Sequence, residues 1–181
     1  MATTRVWTDE ELLQLPDDGR KYELVEGELV VSPAGGRHGR TVVRLTVRLG
    51  AFVAEHRLGE VFDSSTGYRL PSGNLRSPDV SFVAASRLAE GGVPKGFLHL
   101  PPDLAVEVLS PDDRPRPVMD KVGEYLAAGV RVVWVIDPEG ETAAAYRSLT
   151  DVREIGSGES LQADDVVPGF VCPLSVLFAG R

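Results

Sequence analysis

Cysteine occurs once in this chain of 181 residues, at Cys172. One thiol forms no internal disulfide and no cysteine-based zinc site, and its apolar neighbours Phe170, Val171 and Leu174 give it the role of a small core residue. No apolar run approaches the roughly eighteen residues that a membrane helix needs. The opening residues, Met1 to Trp7, have none of the apolar stretch of a secretory leader, so a cytoplasmic protein with no membrane partner is expected. Positive charge is also scarce, with 19 Lys and Arg against 27 Asp and Glu and a formal net charge of −8. That balance argues against a general nucleic-acid coat, whose affinity comes from many phosphate contacts. It is compatible with a metal-dependent hydrolase, in which bound cations offset clustered acids. Lysine appears only at positions 21, 95 and 121, so a site needing an ammonium has few to choose from. Repeats, low-complexity segments and linkers are lacking too, and the length suits one domain over residues 1–181.

What is present reads as alternating short elements. Thr8 and Glu11 have the capping-box spacing ahead of Leu12, Leu13 and Leu15, a short helix that Pro16 should end. Tyr22 to Val25 and Glu28 to Val31 flank Glu26-Gly27 and read as a β-hairpin, with Glu26 solvated and Glu23 and Glu28 inside the strands. After Ser32 to Gly36 the longest helical pattern runs from Arg37 to His56. Its buried face carries Val42, Leu45, Leu49, Phe52 and Val53, and Arg37, Arg40, Arg44 and Arg48 form a stripe on the other side. Such a stripe is either a solvated face or a phosphate contact. His38 falls on the apolar side, as a core histidine or as part of a site.

Residues 60–70 read as one strand with a bulge near Ser64 to Thr66, followed by a turn at Pro71 to Asn74. A strand from Ser77 to Val83 then begins with an acid, Asp79, on the face shared by Ser81 and Val83. Gly-rich residues 84–100 suit a surface loop. Hydrophobic strands on both sides of a helix that starts near Pro115 and stops at Gly129 indicate a parallel βαβ unit. Segments 142–147 and 152–155 read as antiparallel strands, and the end of the chain as a turn plus a short packing helix.

The anomaly is Glu107. In Pro102-Asp103-Leu104-Ala105-Val106-Glu107-Val108-Leu109-Ser110-Pro111, Leu104, Val106 and Val108 share one face, and Ala105, Glu107 and Leu109 the other. A carboxylate inside such a buried strand needs a metal, a cation or several donors to meet it. Otherwise it turns to solvent at the strand end or pairs with an arginine.

These features together resemble the PD-(D/E)XK nuclease superfamily and, within it, the bacterial Uma-type group. The resemblance spans about Trp7 to Arg147. It rests on Tyr22-Glu23-Leu24-Val25-Glu26-Gly27-Glu28-Leu29, His38, Ser77-Pro78-Asp79-Val80, the Glu107 strand, and Lys121 through Tyr125, Gly129-Val130 and Trp134 to Asp137-Pro138. It implies an α/β (α+β) fold of restriction-endonuclease type: a mixed central β-sheet between the Arg37 and Lys121 helices, an N-terminal β-hairpin and antiparallel C-terminal strands. It further implies a Mg²⁺-dependent endonuclease, with Mn²⁺ as a substitute, acting on DNA, with RNA as the alternative.

Two departures stand out. The superfamily's lysine two residues past the strand acid is Leu109 here, and the Uma-type pattern implies that the following helix supplies it as Lys121. An aspartate that many relatives carry four residues earlier is Pro117. Asp79 and Glu107 offer hard oxygen ligands to the metal, Lys121 would orient a water or stabilise charge, and Glu23 is a candidate further ligand. His38 would steer a ligand or a water, and the family pattern implies that the Val108 carbonyl completes the metal shell. Two non-enzymatic readings stay open: a nucleic-acid-binding or assembly module whose acids are structural, and a homodimer formed by pairing of sheet edges.

Overall fold

The computed structural model of the chain describes residues 7–15, 21–31, 35–111 and 113–180. Pro16, expected to end the first helix, and Ser32 to Ala34, ahead of the long helix, lie outside them. Helix α1 (Asp9–Leu13) starts with the expected box: the Thr8 side chain accepts from the Glu11 amide, and the Glu11 carboxylate accepts from the Thr8 amide. Strands β1 (Tyr22–Val25) and β2 (Glu28–Val31) form the hairpin. Its turn places both Glu26 and Gly27 at positive φ, the two-residue geometry that matches strand twist. Glu28 is exposed, whereas Glu23 is buried.

Helix α2 (Gly36–His56) buries Thr41, Leu45, Leu49 and Val53. Strand β3 (Gly59–Asp63) does not continue through residues 64–66 as one bulged strand. The Asp63 carboxylate accepts from the Ser65 amide and hydroxyl at 3.1 and 2.6 Å and turns the chain away. The chain thereby crosses into a second sheet as β4 (Tyr68–Arg69), which pairs with β5 (Leu75–Arg76). Strands β6 (Val80–Ala84) and β7 (Leu104–Val108), helix α3 (Pro115–Ala127) and strand β8 (Val132–Asp137) follow. Strands β9 (Thr142–Tyr146) and β10 (Val152–Ile155) complete the large sheet. A small hairpin of β11 (Ser160–Gln162) and β12 (Val171–Pro173) leads into α4 (Leu174–Phe178). Only α4 of these last three elements is legible from the sequence, because strands this short carry no periodicity.

The large sheet has the order β10-β9-β8-β7-β6-β3, and the small one β2-β1-β5-β4. Among the described strands of the large sheet, β7 and β8 run parallel and the other neighbouring pairs antiparallel, so the sheet is mixed. Pleat parity then sorts the core into two layers. Val80, Phe82, Leu104, Val106, Val108, Trp134 and Ile136 pack with Leu45, Leu49 and Val53 of α2 and with α4. Val83, Ala105, Val133 and Val135 pack with Val122 and Tyr125 of α3. The expected arrangement of a mixed sheet between the Arg37 and Lys121 helices is what the chain adopts. Among the described residues no helix is long and apolar enough to cross a membrane.

Candidate active site

Glu107 lies on the pleat face that meets α3, and every residue of β7 is buried. Lys121 and Tyr125 stand one helical turn apart on α3 and therefore reach the same point. Lys121 Nζ donates to Glu107 Oε2 at 3.1 Å, and the Tyr125 hydroxyl donates to Oε1 at 2.8 Å. The same ammonium lies 3.1 Å from Oε1 of Glu23, which the hairpin brings in from the small sheet. Glu23 also accepts from the Ser77 amide at 2.9 Å, and Arg76 reaches its other oxygen at 3.5 Å.

Asp79 arrives by a different route. It follows Pro78, which has no amide to offer a ladder, and its own N–H donates to the Val106 carbonyl at 2.9 Å. Its carboxylate then takes up a donor at the end of the neighbouring strand: Oδ2 accepts from the Val108 amide at 2.9 Å. His38, one turn into α2, places Nε2 3.0 Å from the same oxygen. Against a carboxylate that nitrogen carries the proton. Oδ1 accepts from Lys21 Nζ at 2.9 Å.

The cluster is thus Glu23, Asp79 and Glu107 around Lys21 and Lys121, with His38, Tyr125 and Arg76 at its margin. Sequence reasoning brought five of these together and passed over Lys21, because Lys21 lies outside any regular element. A signal was available: Lys21 precedes Glu23 by two residues, so both share one side of the pleat. Arg76 and Glu124 were missed as well. The guanidinium of Arg76 bonds Glu124 at 2.6 Å, and Glu124 in turn accepts from Ser72 at 2.7 Å and Asn74 at 2.6 Å. Helix α3 is thereby tied to the β4–β5 turn that positions Ser77.

The acids differ in electrostatic standing. Burial disfavours the charge on Asp79, but the His38 hydrogen bond, the Lys21 charge and the Val108 amide outweigh it and hold its carboxyl well below the usual range. Burial likewise opposes Glu23, yet Lys121, Lys21, the Ser77 amide and Arg76 hold it down. Glu107 goes the other way. Burial pushes it up, Asp79 and Glu23 add to the push, and the two lysines do not reverse it. Lys121, despite the burial that works against its charge, is held protonated by Glu107, Glu23 and Asp79. With Glu124 included, four carboxylates face three obligate cations, Lys21, Lys121 and Arg76.

The arginine stripe of α2 makes contacts of its own in this fold. Arg37 pairs with Glu139 at 2.7 Å, Arg40 donates to the Gly180 carbonyl at 2.5 Å, and Arg44 donates to the carbonyls of Leu177, at 3.0 Å, and Ala179. Arg48 donates to the Arg44 carbonyl at 3.1 Å. Two of the four fasten the C-terminal segment to α2, and among the described residues none bonds the acid cluster. Arg44→Met should therefore speed amide exchange across residues 174–180 and cost about 1–3 kcal/mol, since two charged hydrogen bonds disappear. The measurement is hydrogen exchange by mass spectrometry, and protection equal to wild type would refute it.

A cavity of about 160 Å³ opens on the Lys121 side, lined by Glu23, Glu107, Val108 and Lys121 among others. A second, of about 230 Å³, opens on the Lys21 side, with Ser77 and Tyr22 in its wall. The donor set suits a hard divalent cation: Asp79 and Glu107 supply oxygens, and Glu107 lacks a full counter-charge. Among the described residues no three Asp, Glu, His or Cys side chains already form one coordination shell. A metal here would take two carboxylates and keep several waters, the habit of Mg²⁺; of the two acids, Glu107 lines the first cavity.

Among curated proteins none matches the chain. A solved structure from Anabaena variabilis, described as a putative nuclease belonging to DUF820, superposes with a TM-score of 0.82 at 22% identity, covering 96% of this chain and 98% of that one. At that identity the likeness establishes the fold. The model of the family named Uma2, "Putative restriction endonuclease", matches residues 9–176, nearly the whole length, and the chain belongs to that family.

Proposed function

We propose that this chain is a Mg²⁺-dependent endonuclease that hydrolyses DNA phosphodiester bonds, with Mn²⁺ as a working substitute. The observation that carries this reading is the grouping of Glu107 on β7 and Lys121 on α3, 3.1 Å apart, with Asp79 just before β6 near enough to bear on both charges, and one carboxylate left short of positive charge. The family description supports the reaction class. Asp79 and Glu107 would hold the metal, which when bound polarises a phosphoryl oxygen and acidifies a water. The protein's own residues do the rest. Tyr125 fixes Oε1 of Glu107, Lys121 fixes Oε2 and offsets its charge, and His38 with the Val108 amide aims Asp79. Glu23 pins the Lys121 ammonium from the far side.

The opposing reading, a nuclease-like module without activity, also has an observation behind it: both oxygens of Asp79 already accept from protein donors. Supercoiled plasmid incubated with the purified protein separates the two. Nicking that requires Mg²⁺ or Mn²⁺, stops with EDTA and resumes when metal is restored is the expected result. No nicking, together with no calorimetric Mn²⁺ binding, would establish the inactive module. Single-stranded DNA and RNA substrates run alongside would identify the preferred polymer.

A further inference from the structure

Two lysines enter this cluster, and they are not equivalent. Lys121 is clamped between two carboxylates at 3.1 Å each, so its ammonium has no freedom to leave either without exposing a buried charge. Lys21 contacts one oxygen, Asp79 Oδ1, at 2.9 Å, and lines the larger cavity beside Ser77. The Asp79 oxygens differ as well. Oδ2 already takes the Val108 amide and His38, whereas among the described residues Oδ1 takes Lys21 alone. A cation seeking Asp79 therefore finds Oδ1 as its better lone-pair site, and an ammonium and a divalent ion cannot both sit against it.

We infer that Lys21 is a second functional lysine: it occupies the Asp79 oxygen in the metal-free protein, yields it to the divalent cation, and in the adjoining cavity then pairs with a phosphate oxygen of the substrate. This rests on the metal-dependent reading above. The argument is one of charge. Without metal, the Lys21 ammonium satisfies a buried carboxylate that would otherwise be left with only neutral donors and His38. With metal, that service is redundant, and the two positive charges repel. The cavity of about 230 Å³ gives the displaced side chain somewhere to go without crossing packed core. Such a lysine weakens metal affinity and at the same time supplies the positive charge that a phosphodiester needs, which a chain of net charge −8 has little of elsewhere.

The test compares wild type with Lys21→Met and Lys21→Arg by Mn²⁺ calorimetry and by the Mn²⁺ electron paramagnetic resonance signal, with nuclease protein lacking any substrate. Removing a charge-assisted hydrogen bond that competes with the ion should tighten Mn²⁺ binding by roughly 10- to 100-fold in Lys21→Met. Lys21→Arg, which keeps the competing charge, should stay near wild type. Cleavage at saturating Mn²⁺ should fall about tenfold in Lys21→Met, because the phosphate loses its partner. Unchanged or weaker Mn²⁺ binding by Lys21→Met, when wild type does bind, would overturn the inference and leave the metal-dependent reading standing. So would full cleavage by Lys21→Met at saturating metal. No Mn²⁺ bound by either protein would instead sink the parent reading, and this one with it.

Discussion

Replacing Lys121 with methionine should cost about 3–5 kcal/mol of stability, the penalty for leaving a buried charge pair with one partner. Here one ammonium serves two acids, so its loss strands Glu107 and leaves Glu23 with Arg76 at 3.5 Å, both acids nearly out of contact with water. Methionine fills most of the lysine volume, and packing is not the source of the loss. For a chain of this length the melting temperature should fall by roughly 6–20 °C. The charge origin has its own control: Glu23→Gln and Glu107→Gln introduced together with Lys121→Met should return more than half of the lost stability, since no buried carboxylate then lacks a cation. Denaturant unfolding measures all of these. A Lys121→Met protein within about 1 kcal/mol of wild type would mean that the ammonium is solvated and free, as an ordinary surface lysine is.

Much of this site could be read from the residue pattern because it depends on short-range rules. Strand parity alone assigns Glu107 to the α3 layer, and the one-turn spacing of Lys121 and Tyr125 brings both to it. Tyr125 carries no such signal, since an apolar helix face does not announce which of its members has a polar tip in use. In the sequence the crossing from the large sheet to the small one near Asp63 looks like a bulge. Two strands in different sheets and one bulged strand share the same composition there, and only the partner of each distinguishes them.

The arginine stripe shows the limit more sharply. Helical periodicity places Arg37, Arg40, Arg44 and Arg48 on one face, but what lies above that face is settled by a contact across 133 residues of chain, between Arg44 and Leu177. Lys21 and Arg76 were hidden for the same reason. Neither is placed at the site until the small sheet brings Glu23 up to Lys121 and Ser77. The family pattern, by contrast, already located Asp79, Glu107 and Lys121, because their spacing follows the order of β6, β7 and α3 along the chain.

Glu107→Gln should abolish cleavage by about a thousandfold or more, the scale on which preorganised charge at a reacting centre acts. The amide keeps the shape of the side chain and can still accept from Tyr125, so the fold should survive. What goes is the negative oxygen that a metal requires. Glu107 is singled out over Glu23 by electrostatic standing. Glu23 is held in its charged form by Lys121, Lys21, the Ser77 amide and Arg76, and has little left to offer an ion. Among the described residues Glu107 has Lys121 and Tyr125 as its direct partners, and burial disfavours its charge. Glu23→Gln should accordingly reduce the rate by roughly tenfold, through a loosened Lys121, and leave Mn²⁺ affinity within about threefold of wild type. Glu107→Gln should weaken Mn²⁺ by at least about tenfold. Plasmid nicking and calorimetry on the two variants decide the matter. If Glu23→Gln loses the metal and Glu107→Gln keeps it, the cation sits on the hairpin side of Lys121, and Glu107 serves only to hold that lysine in place.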